Sequence, residues 1–193
     1  ENLSFEEAFE KVKESWKEEI TPYWKGDWDL VDKSKFLRTI NKNNFNSLAK
    51  KSTINSLITI VVLSALSILL NFEIYKYILI LIVGSILSIP IINYFRNRKE
   101  LNLQKKYGNY ILISIQEYTM LSMGGIYFYF KFLIDGFEVA KMFKDFFLVQ
   151  NLDNFMFGIL IVFALLFTSF LSIFSQKIYL SKIQKVKPFL KYL

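Results

Sequence analysis

Glu117 is the one carboxylate placed well inside an apolar run of this chain. With the run starting at Tyr110, Glu117 lies about 10 Å along a helix axis at 1.5 Å per residue. A carboxyl desolvated at that depth favours its neutral form, which donates a hydrogen bond and relays a proton. Counting to comparable depths on the neighbouring runs reaches Ser88 and Ser169, with Thr59 shallow on the first. Ser88, Glu117 and Ser169 are therefore expected to form an intramembrane polar layer. A plainer reading stands beside it: a helix that effectively begins at Tyr118 leaves Gln116 and Glu117 in the interface, where charge costs little.

Asp27, Asp29 and Asp32 have the oxygen chemistry of a hard-cation site, but their spacing departs from an EF-hand loop. A turn around Gly26, or capping of a helix starting near Lys33, accounts for the same residues, so no metal site is expected. The chain contains neither His nor Cys. That removes the commonest general base and metal ligand, thiolate nucleophiles, disulfides and iron–sulfur ligation. No phosphate-binding glycine motif occurs either. Only carboxylates, hydroxyls and lysines remain for chemistry, and neither catalysis nor a cofactor is expected.

The elements that carry these residues follow from segregation. Apolar residues make up 53% of the 193, with 20 Phe and 11 Tyr, yet 21% are charged. The charges gather in tails and connections, and the apolar residues gather in runs of membrane length: Ile54–Leu70, Tyr75–Phe95, Tyr110–Ile134 and Phe155–Ser175. Runs this continuous must satisfy their backbone internally in lipid, so they read as helices. A soluble bundle is disfavoured by the fourth run, which has no charge. The expected fold is all-α and polytopic, with four transmembrane helices. Small residues within them (Gly84 and Ser88; Ala164, Thr168 and Ser172) suit close packing inside the chain.

Basic residues set the orientation. Lys35, Arg38, Lys42, Lys50 and Lys51 precede the first run, Arg96, Arg98, Lys99, Lys105 and Lys106 follow the second, and Lys177, Lys182, Lys185, Lys187 and Lys191 follow the fourth. The opposite ends hold Lys76, Lys141 and Lys144, with Lys131 at the boundary. Both termini are thus expected in the cytoplasm, with the chain in the plasma (cytoplasmic) membrane. The polar first fifty residues give no expectation of a cleavable signal peptide. Three regions result: a cytoplasmic N-terminal region (1–53), a transmembrane domain (54–176) and a basic tail (177–193). Lys182, Lys185, Lys187 and Lys191 are expected to hold that tail on anionic lipid.

Two amphipathic stretches remain. Ser4 and Glu7 fit a capping box, and Phe5, Phe9, Val12, Trp16 and Ile20 recur at helical spacing until Pro22, opposite a mixed-charge face. Asn41, Asn43, Asn44 and Asn46 suggest a break before the first crossing. Residues 137–150 predict an interfacial helix on the outer side, with Phe143, Phe146 and Phe147 on one face. The two stripes are the expected partner-binding surfaces. The function expected is binding, as an accessory subunit or an immunity or resistance protein that engages a membrane protein or peptide in the bilayer. A nucleic-acid partner is not expected. The alternative is a small transporter or channel subunit that uses Glu117.

Overall fold

The computed structural model describes residues 4–23, 34–103, 123–149 and 152–188. Their regular structure is helical, with no strand among the described residues. The helices are α1 (Phe5–Ile20), α2 (Lys35–Leu69), α3 (Phe72–Arg96), α4 (Arg98–Leu101), α5 (Met123–Val149) and α6 (Leu152–Val186). The chain divides into two compact units, Glu1–Ser47 and Leu48–Leu193, the division falling within α2.

In the first unit, Ser4 caps α1 as its sequence demands. The Glu7 N–H donates to Ser4 Oγ at 3.3 Å, and the Ser4 N–H donates back to Glu7 Oε2 at 2.9 Å. Both otherwise orphaned donors are satisfied. Thr21 ends the helix just before Pro22. At the start of α2 the Leu37 N–H donates to Ser34 Oγ at 3.3 Å. From there α2 runs unbroken through Asn41, Asn43, Asn44 and Asn46, so the break expected in that stretch is absent. Each Asn costs only a few tenths of a kcal/mol in a helix, and no Gly or Pro lies between Lys35 and Leu69 to stop it.

In the second unit, α3, α5 and α6 pack on one another around Tyr75, Leu79, Val83, Leu87, Phe132, Ala140, Phe143, Val162 and Leu166. Ile60 and Leu63 of α2 belong to the same core. The connection from α2 to α3 is short, and Asn71 caps α3 by accepting from the Ile74 N–H at 3.0 Å. Among the described residues three helices, α2, α3 and α6, are long and apolar enough to cross a membrane.

Residues 110–122 of the third apolar run lie outside the described residues, and its remainder is joined to the outer stretch. Residues 123–149 form one helix, with no separation between an inner span and an interfacial piece. Gly136 does not end it. A Cβ there would lie 2.8 Å from Ile80 Cγ1, so the glycine serves the close approach of α3. Contacts with α3 run in opposite order along the two helices: Tyr75 with Phe143, Tyr77 with Phe137, Gly84 with Leu133, and Ser88 with Tyr129. Helix α5 therefore lies antiparallel beside α3 over most of its length. It is not among the three apolar helices because Lys131, Asp135, Glu138 and Lys141 interrupt it.

Residues 189–193 of the expected basic tail lie outside the described residues. Residues 177–186 continue α6, and Tyr179 and Ile183 pack on Leu101 of α4.

Candidate functional site

The first unit offers an open apolar face. Phe5 is 85% exposed, and Phe9, Val12 and Trp16 are each about half exposed. The Phe5 and Phe9 rings stack with centroids 6.3 Å apart. The Trp16 end is anchored, with its ring edge-on to Phe36 at 6.1 Å. Nearby, Lys35 pairs with Glu19, whose carboxylate pushes the lysine pKa up. Arg38 donates to the Tyr23 carbonyl at 2.6 Å and lies 4.9 Å over its ring. Helix α1 carries six Glu and three Lys, so it is net acidic rather than evenly mixed. Hydrogen bonds from the Ser4 backbone, then from its hydroxyl, hold the Glu7 carboxyl below the usual carboxylate range. The sequence-expected stripe is thus present and open at Phe5, Phe9, Val12 and Trp16; the Ile20 side chain lies outside the described residues.

Of the second stripe, the structure describes the side chain of Phe143 alone. Phe143 has no exposed surface, and its ring packs against Tyr75 at 6.5 Å and Phe155 at 5.6 Å. Continuing α5 past Ile134 turns this residue onto α3 and α6, so Phe143 belongs to the core and not to a partner surface. The side chains of Phe146 and Phe147 lie outside the described residues.

The expected polar layer is not assembled from its described members. Ser88 Oγ donates to the Gly84 carbonyl at 2.7 Å and shares a hydrogen bond with Tyr129 Oη at 3.1 Å. Ser169 Oγ donates to the Leu165 carbonyl of its own helix at 2.8 Å, as Thr59 does to Asn55. Glu117 lies outside the described residues, as do Asp27, Asp29 and Asp32. Among the described residues no group of three or more carboxylates is arranged to hold a metal ion.

A different polar cluster, absent from the sequence expectations, ties α3 to α6. Gln176 is 1% exposed; its Nε2 donates to the Pro90 carbonyl at 3.0 Å, and its Oε1 accepts from Asn93 Nδ2 at 2.8 Å. Asn97 Nδ2 donates to Asn93 Oδ1 at 2.7 Å. Further along, the Tyr179 hydroxyl donates to the Glu100 carbonyl at 3.2 Å, and Lys187 pairs with the Glu100 carboxylate at 3.2 Å. Glu100's backbone N–H, then Lys187, lowers that carboxyl's pKa. One of the expected lipid-binding lysines, Lys187, is therefore engaged within the protein, whereas Lys185 is exposed and Lys182 is half-buried. Lys191 lies outside the described residues. Amides at the ends of two apolar runs, Asn93 and Gln176, are a signal that each needs a partner in lipid, but not of which partner.

No family model, no curated protein and no solved structure matches this chain.

Proposed function

We propose that the chain is a non-catalytic, multi-pass protein of the plasma (cytoplasmic) membrane that acts by binding a partner, as an accessory subunit or an immunity or resistance protein. In this reading α2, α3, α5 and α6 cross the bilayer and both termini are cytoplasmic, in keeping with the clusters of basic residues at one set of helix ends. The third crossing is α5, lying antiparallel to α3.

The observation that carries the binding reading is the open face of Phe5, Phe9 and Val12 on a helix already capped and anchored in its own unit. A preordered apolar stripe has met much of the ordering cost that weakens binding by flexible segments. Its excess of Glu over Lys repels the anionic inner leaflet, which favours a protein partner over lipid. Such a partner would lay an apolar surface with basic flanks into contact, the helix-in-groove mode read from anchors three and four residues apart.

The test is site-specific photocrosslinking from Phe9 in intact cells, repeated with Val12→Asp. A discrete adduct that Val12→Asp abolishes, with membrane insertion unchanged, supports the reading. Retention of activity and adduct after Val12→Asp, or after deletion of 5–20, would refute it.

A further inference from the structure

Helix α5 carries an open line of charge. Lys131 Nζ lies 2.7 Å from Asp135 Oδ2, with the two side chains 56% and 45% exposed. Glu138 and Lys141 are exposed as well, and the spacing from 131 to 135, 138 and 141 keeps all four on neighbouring turns of one face. Ile134 and Tyr127, 75% and 61% exposed, flank the line.

The packing on α3 gives the depth of this line. Leu133 lies 3.6 Å from a Cβ built on Gly84, and Gly84 is midway between Glu73 and Arg96, the charged ends of α3. Lys131 and Asp135 therefore straddle the middle of α3. This rests on the reading that α3 spans the bilayer: the pair then sits near the midplane on the outside of the bundle, where ionisable groups normally turn inward or pair. Such a face needs a cover.

We propose that the cover is a second copy of this chain, meeting it along α5 about a twofold axis parallel to the membrane normal. The line holds two cations and two anions and is neutral, so a copy of itself matches it in sign and number. A twofold contact brings equal depths side by side. Lys131 of one copy and Asp135 of the other then differ by one helical turn, about 6 Å in depth, which the flexible lysine stem can bridge. The two internal pairs join into a closed four-charge ring, and Glu138 and Lys141 repeat the pattern toward the outer end. A partner offering one sign of charge leaves the other uncovered.

The absence of native Cys makes the test direct. Ile134→Cys places a thiol on the seam, and Leu81→Cys places one on the exposed face of α3 as control. Oxidation of native membranes is expected to give a disulfide dimer from Ile134→Cys and not from Leu81→Cys. K131D and D135K each put four like charges at the seam, so each alone is expected to weaken the dimer at least about tenfold, while the two co-expressed pair with one another. The double replacement Lys131→Leu with Asp135→Leu is the insertion control: retained in the membrane, with the dimer weakened. Release of the parent chain by alkaline carbonate would overturn the spanning reading and this proposal with it. Retention of a chain that stays monomeric in bilayers would overturn the seam alone. An Ile134→Cys adduct with a different protein, or dimers indifferent to both charge reversals, would overturn the choice of a second copy.

Discussion

Gln176 is the side chain whose loss the packing of α3 on α6 should feel most. It is almost wholly buried, and its amide spends both ends across the interface, one on the Pro90 carbonyl and one on Asn93. Interhelical side-chain hydrogen bonds in membrane proteins average about 0.6 kcal/mol and reach about 1.7. Two of them give about 1–3 kcal/mol for Gln176→Ala, with the void left by the side chain included toward the upper end. Asn93→Ala removes the bond to Gln176 and the one accepted from Asn97, of which only the first crosses between the helices, and the double variant should fall short of the sum by about 0.6 kcal/mol, the energy of the bond that both singles delete. Unfolding in mixed micelles by SDS titration, followed by far-ultraviolet circular dichroism, measures all three. A change below about 0.3 kcal/mol for Gln176→Ala, or strict additivity with Asn93→Ala, would show that these bonds do not hold the two helices together.

Three further outcomes are expected. Gly136→Leu sets a branched side chain where even a Cβ would lie 2.8 Å from Ile80, and should cost about 1–3 kcal/mol or more in the same titration. Tyr75→Phe removes a buried hydroxyl that has no hydrogen-bond partner among the described residues, so it should be neutral or stabilising by about 1 kcal/mol; clear destabilisation would reveal a partner for it. At Ser4, carboxyl NMR should place the Glu7 titration below the ordinary glutamate value and move it upward in Ser4→Ala. Because the folded pKa is the lower one, the capping contribution is present above the unfolded value and fades as pH falls through the folded value, and the helical Cα shifts of residues 5–8 should fade with it.

The local signals were the readable ones. Ser4 with Glu7 and Pro22 after Thr21 each act within a few residues through a specific hydrogen bond or a missing one, and they mark the two ends of α1 in the fold. The asparagines at 41–46 misled because they are turn formers only by preference. Their penalty in a helix is small, and neither Gly nor Pro reinforces it. The Gln176 cluster stayed hidden for another reason: its partners are Pro90 and Asn93 on a different helix, and nothing in the spacing of one run names the register of its neighbour.

The register of α5 shows that limit most sharply. A hydropathy reading centres a crossing where charge is sparse, which favoured Tyr110–Ile134 and left Lys141 and Lys144 outside. Packing follows shape instead. Gly136 admits Ile80, Gly84 admits Leu133, and Tyr129 reaches Ser88, so the stretch that fits α3 is the one with the charges. Phe143, Val139 and Phe132 then fill the core from the same helix, which draws Phe143 of the outer stretch inward and turns Lys131, Asp135 and Glu138 away from α3. Hydropathy alone treats those charges as a reason to exclude the segment from the bundle. Side-by-side contact with α3 makes them the exposed face of a packed helix.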